Sequence, residues 1–108
     1  MVTRIEGLGL MGFSADCPLV LAADPKTRAV GLAHASWRGT VAGVAGRMVR
    51  RMVELYGAVP QDIVACIAPS AGPCCYEVGP DVVDAALEHM DKPAGKYFLR
   101  RQGSVHFD

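Results

Sequence analysis

The sequence has no surplus of either charge. Its eleven basic and eleven acidic residues cancel, which removes any electrostatic reason to expect nucleic acid or an anionic membrane as a partner. It has no apolar run long enough to cross a bilayer. It also lacks a basic-then-apolar leader, because Arg4 and Glu6 interrupt the N-terminus early. Histidine is scarce, at positions 34, 89 and 106, and there is a single tryptophan. The four cysteines, at 17, 66, 74 and 75, lack the spacing of a secreted disulfide framework. Two of them are neighbours, and a bridge between adjacent residues is strained. These features predict a soluble cytoplasmic protein with its thiols reduced.

What is present is apolar material. At 108 residues, 51% of them hydrophobic, the chain has the stock for one small core, as a small domain or as part of a larger one. A chain this short buries a smaller share of its surface than a full-sized domain does. Residues 8–13 (LGLMGF), 18–23 and 29–33 (AVGLA) are short apolar runs, the second ending in the turn chemistry of Asp24-Pro25-Lys26-Thr27. Apolar runs without alternation predict strands covered on both faces. Thr40 then reads as an N-cap, with Val41, Val44, Ala45, Met48, Met52 and Leu55 on one helical stripe and Arg47, Arg50, Arg51 and Glu54 mostly on the other side. Gly57 and Pro60 end that helix. Residues 62–68 (DIVACIA) read as a further strand. Pro80 opens a second amphipathic helix through Val82, Val83, Ala86, Leu87 and Met90. Beyond Pro93 a short strand is expected at 96–99, and residues 105–108 read as the start of another element.

Three stretches could carry chemistry. In Ala15-Asp16-Cys17-Pro18 the cysteine sits between a polar turn and a strand; it is either a small buried hydrophobe or a partly exposed thiol. In the stretch from His34 to Thr40 (HASWRGT), a histidine ends an apolar strand and a helix follows. Helix N-termini offer free N–H groups and partial positive charge to anions, and Arg38 adds a fork of donors suited to phosphate. The plainer account has His34 bonded to a carbonyl, Trp37 in the core and Arg38 paired with a surface acid. If residues 18–23 and 29–33 form a hairpin about Lys26, Cys17 and His34 come nearly opposite each other at its open end, with Cβ atoms about 4.5–5.5 Å apart. That would suit a shared metal, or a thiolate–imidazolium pair acting as a metal-free Cys–His hydrolase. Two donors fall short of a catalytic zinc, which takes three protein ligands plus water. The third stretch, 69–79 (PSAGPCCYEVG), is a stiff loop whose Tyr76 and Glu77 could meet a ring and a polar edge, or simply connect a strand to a helix.

Taken together, ADCPLVLAADP (15–25), VGLAHASWRGT (30–40) and IAPSAGPCCYEVG (67–79) resemble the YfiH-like laccase-domain family across essentially the whole chain. The resemblance implies an α/β fold, a layered mixed sheet with flanking helices, of which this chain would be the central portion. It implies a zinc site built from Cys17, His34 and a third histidine in a QVHG-like motif expected upstream of Met1. A continuation is expected after Asp108. It further implies purine nucleoside phosphorolysis, with methylthioadenosine cleavage and adenosine deamination. Purine nucleoside and phosphate would be the ligands: phosphate near Arg38 and Thr40, and the nucleoside near Tyr76 and Glu77. Two departures stand out. Ser36 replaces the glycine of the HAGW motif and is expected to narrow the pocket, and Ala68 replaces the glycine before Pro69. The copper phenol oxidation for which the family is named is the less favoured reading, because a blue-copper site takes two histidines beside its cysteine. Alternatively, the chain is an inactive fragment or assembly module, self-associating through exposed strand edges.

Overall fold

The computed structural model describes residues 1–90 and 94–108; Pro93, taken from the sequence as a boundary, lies outside them. The chain forms two compact units, Met1–Ser70 and Ala71–Asp108. In the first, β1 (Val2–Thr3), β2 (Leu19–Asp24), β3 (Ala29–His34) and β4 (Val64–Ile67) form a sheet of order β1-β3-β2-β4, and every pairing in it is antiparallel. Helix α1 (Trp37–Val41) and helix α2 (Val44–Tyr56) connect β3 to β4. In the second unit, α3 (Pro80–His89) precedes a hairpin of β5 (Phe98–Arg101) and β6 (Ser104–Phe107). The class is the expected one of sheets with flanking helices.

The β2–β3 turn sets the geometry of the first unit. Asp24, 1% exposed, accepts from the Lys26 amide at 2.9 Å and from the Thr27 hydroxyl at 2.7 Å, an Asx turn built by the aspartate's own side chain. Arg28 takes a left-handed φ of 60°, so the turn spans four residues, 25–28, where the sequence suggested three. The ladder therefore pairs Asp24 with Ala29 and Leu19 with His34. That register is shifted by one residue from the sequence expectation.

Cross-strand partners point to the same face of a sheet. Ala22, Ala29 and Ala33 pack against Met48 and Met52 of α2. The approach is close enough that a Cβ on Gly31 would lie 2.8 Å from the Met48 sulfur. Small residues on the strands and methionines on the helix thus fill one layer. The other face is covered only in part, unlike what the apolar runs suggested: Leu32 is buried there, but Leu21 is 41% and Val30 39% exposed, and β4 is exposed on both its faces. A single helix layer can bury only one side of a sheet. Edge strand β4 consequently offers an open, apolar rim of the kind that pairs with other strands.

Residues 8–13 form no strand; Leu8, Met11 and Phe13 lie exposed in irregular chain. The glycines at 7, 9 and 12 explain this, since each weakens an extended segment. At Gly12 the chain lies against Leu19 and Leu32. The helical stripe is also divided. Gly43, at φ 68°, separates α1 from α2, and Met48 and Met52 are the residues of α2 that become buried. Gly57 closes α2 in the left-handed conformation, as its place in the sequence predicts. Pro80 opens α3, which buries Val82 and Ala86.

The Thr27 hydroxyl, with the Lys26 and Thr27 amides, holds the Asp24 carboxyl below its ordinary range against the opposing effect of burial. A group with a lowered folded-state value stabilises the fold fully above the unfolded carboxylate range. That contribution disappears as pH falls through the folded value. Urea unfolding midpoints should therefore drop between about pH 5 and pH 2. In Asp24→Asn the midpoint should be lower at neutral pH and the acid-dependent drop smaller. An equal acid-dependent drop in both proteins would refute this role.

Candidate functional site

Cys17 is positioned by local turn chemistry. Asp16 adopts a left-handed φ of 70°, which aspartate tolerates better than most residues, and the Ser14 hydroxyl donates to the Cys17 carbonyl at 2.6 Å. Pro18 then leads into β2, its carbonyl accepting from the Ala35 amide at 2.8 Å. Cys17 is free and half-buried. His34 ends β3 with an exposed side chain. Because its direct partner is Leu19, Cys17 lies two residues upstream of that partner, as a diagonal neighbour rather than nearly opposite. In a regular ladder such neighbours are about 7–8 Å apart. Both stand at the open end of the hairpin. No hydrogen bond joins the Cys17 sulfur to the His34 ring among the described residues.

Sulfur and imidazole nitrogen are donor types that zinc takes. The number of donors is short: among the described residues no group of three His, Cys, Asp or Glu side chains could hold a metal ion. These two residues would hold a metal only together with a further donor.

The region after His34 differs from the expectation in its details. The N-cap is Ser36, whose Oγ accepts from the Gly39 amide at 3.2 Å. Thr40 lies within α1 and donates to the Ala35 carbonyl at 3.3 Å. The cap therefore occupies the Gly39 amide. Serine at the HAGW glycine position creates this cap, and its φ of −58° makes no demand for glycine. Arg38 stacks on Trp37, with its guanidinium carbon 4.2 Å from the ring centre. Among the described residues it pairs with no surface acid, and Trp37 is half-buried rather than in the core.

His34 instead lines a cavity of about 610 Å³. Leu19, Leu32, Val44 and Met48 give it apolar walls, and Arg47 and Arg51 add two cations one helical turn apart. Arg51 also bonds Glu54 at 3.1 Å. The sequence reading placed both arginines on the outer side of the helix. The available signal was their i, i+4 spacing beside Val44 and Met48.

Tyr76 and Glu77 belong to the second unit. Tyr76 stacks on Phe107 with ring centres 6.4 Å apart, and Phe107 stacks on Phe98 at 4.9 Å. Glu77 is exposed, and its backbone pairs with that of His106 in an isolated antiparallel bridge. The His106 Nδ1 is buried with no hydrogen-bond partner among the described residues.

The model of the multi-copper polyphenol oxidoreductase laccase family matches residues 1–108. The chain belongs to that family. It is 40% identical over 108 residues to a purine nucleoside phosphorylase of Deinococcus radiodurans, covering all of this chain and 41% of that protein. It is 38% identical over 85 residues to adenosine deaminase RL5 of an unknown prokaryotic organism, covering 79% of this chain and 32% of that one. The crystal structure of Bacillus licheniformis hypothetical protein YfiH superposes with a TM-score of 0.80 at 38% identity, over 88% of this chain and 36% of YfiH. The chain thus spans well under half the length of these relatives.

The cap at Ser36 yields a direct test. Ser36→Ala should destabilise the chain by about 1 kcal/mol, the usual cost of losing an N-cap, and Ser36→Gly by only a few tenths. Denaturant unfolding measures both. Equal stability of Ser36→Ala and wild type would show that the cap contributes nothing.

Proposed function

We propose that this chain carries part of the ligand-binding surface of a purine nucleoside phosphorylase, with purine nucleoside and phosphate as its ligands. The observation that carries the reading is the cavity in which His34 shares a wall with Arg47 and with apolar side chains. Its volume lies within the range of small-molecule sites, which are mostly apolar with a few placed polar groups. A purine ring would pack on Val44 and Met48, and phosphate would be drawn to the Arg47 guanidinium, which suits phosphate oxygens in a forked arrangement. Arg38 was the sequence choice for phosphate, but its stacking on Trp37 makes it the weaker candidate. Adenosine deamination and methylthioadenosine cleavage are further activities of the same reading.

The metal of the proposal is zinc, held by Cys17 and His34 with a third donor from outside the described residues. When bound, it would supply Lewis-acid polarisation of a water or a leaving base. The residues of this chain supply the rest: apolar walls to exclude water, and a cation to place an anion. Copper is the less favoured metal, because a coupled copper cluster would demand many more histidines than the three in this sequence. The free cysteines favour a cytoplasmic setting.

The test is saturation-transfer NMR with inosine and adenosine, in the presence of zinc and phosphate, on the 108-residue chain. Inosine should bind, phosphate should strengthen that binding, and Arg47→Ala should reduce the phosphate effect about tenfold while Arg38→Ala leaves most of it. Absence of saturation transfer to either nucleoside, or a phosphate effect lost in Arg38→Ala and kept in Arg47→Ala, would contradict the proposal.

A further inference from the structure

Cys74 and Cys75 are adjacent, exposed and free, and their sulfur atoms are 3.1 Å apart. The backbone beneath them is tied at both ends. The amides of Cys75 and Tyr76 donate to the Gly72 carbonyl at 2.9 and 3.0 Å. The Tyr76 carbonyl accepts from the Phe107 amide at 3.1 Å, and the two rings stack. The turn therefore presents two thiols to solvent from a fixed base.

We propose that Cys74 and Cys75 form a two-thiol binding site for a trivalent thiophilic centre, with organoarsenic(III) compounds as the ligand class. Spacing and coordination number decide between the chemistries open to such a pair. A covalent sulfur–sulfur bond needs about 2.05 Å and is strained between neighbours. A zinc ion with bonds of about 2.3 Å at a tetrahedral angle needs its sulfurs about 3.8 Å apart, and two further donors. Among the described residues no third donor joins this pair. An organoarsenic(III) centre brings its own carbon substituent, so two sulfurs complete its coordination.

The reaction balances without an oxidant. Two arsenic–sulfur bonds form and the arsenic–oxygen double bond breaks. The oxygen leaves as water with both thiol protons, and arsenic stays trivalent. The Cys74 sulfur, hydrogen-bonded to its neighbour, pushes the Cys75 thiol up. The pair thus resists carrying two negative charges side by side, and a reaction that consumes both thiols in their protonated form does not require it to.

Phenylarsine oxide is the probe, added at one equivalent to the reduced 108-residue chain and followed by intact-mass spectrometry. One adduct should form, survive excess glutathione, and be removed by equimolar 2,3-dimercaptopropanol. Cys74→Ser and Cys75→Ser should each lower retention against glutathione by about 100-fold, the scale on which a second tethered contact multiplies affinity. Cys66→Ala should retain the adduct as wild type does. Loss of the wild-type adduct to glutathione, or full retention in Cys74→Ser or Cys75→Ser, would overturn the proposal.

Discussion

The turn between β2 and β3 closes on the side chain of Asp24, and the register of the whole first sheet follows from that closure. Two hydrogen bonds fold the carboxylate over Lys26 and Thr27, and the left-handed Arg28 takes up the fourth turn residue. With Asp24 opposite Ala29, Leu19 must stand opposite His34. Side chains in a strand alternate, so a slip of one residue would turn His34 to the other face of the sheet. The cavity beside α2, the covered layer of Ala22, Ala29 and Ala33, and the relation of Cys17 to His34 all depend on this one ladder.

Much of this was legible in the sequence, because the signals are local. Gly57 and Pro80 mark a helix end and a helix start by their own backbone preferences, and β2, β3 and β4 lie where the apolar runs put them. The misreadings share a physical cause. Residues 8–13 look like a strand by hydropathy, but Gly9 and Gly12 remove side chains from an already short run. Thr40 and Ser36 are both competent caps. The choice between them depends on where β3 ends and the chain turns, which a one-dimensional pattern does not contain. Arg47 and Arg51 are exposed, as the helical pattern implies, and they still line the cavity, because long basic side chains run their stems along apolar surface and carry the charge to the rim.

The cysteines divide into different chemistries by their neighbours. Cys17 stands at the open end of the hairpin, as His34 does. Cys74 and Cys75 have each other. Cys66 lies exposed on edge strand β4, beside apolar Val64 and Ile67, in a rim more suited to strand pairing than to catalysis. The dithiol turn stands on its own geometry.

The central claim is the pairing of Leu19 with His34, and one NMR experiment addresses it. The Ala35 amide bonds to the Pro18 carbonyl, so Leu19 and His34 form a non-hydrogen-bonded pair, the kind with Cα atoms only about 4.5 Å apart. A NOESY spectrum of the isotope-labelled chain should show a strong cross-peak between the Hα protons of Leu19 and His34. A strong peak between Pro18 and His34 in its place would mean a ladder slipped by one residue, and would contradict the account.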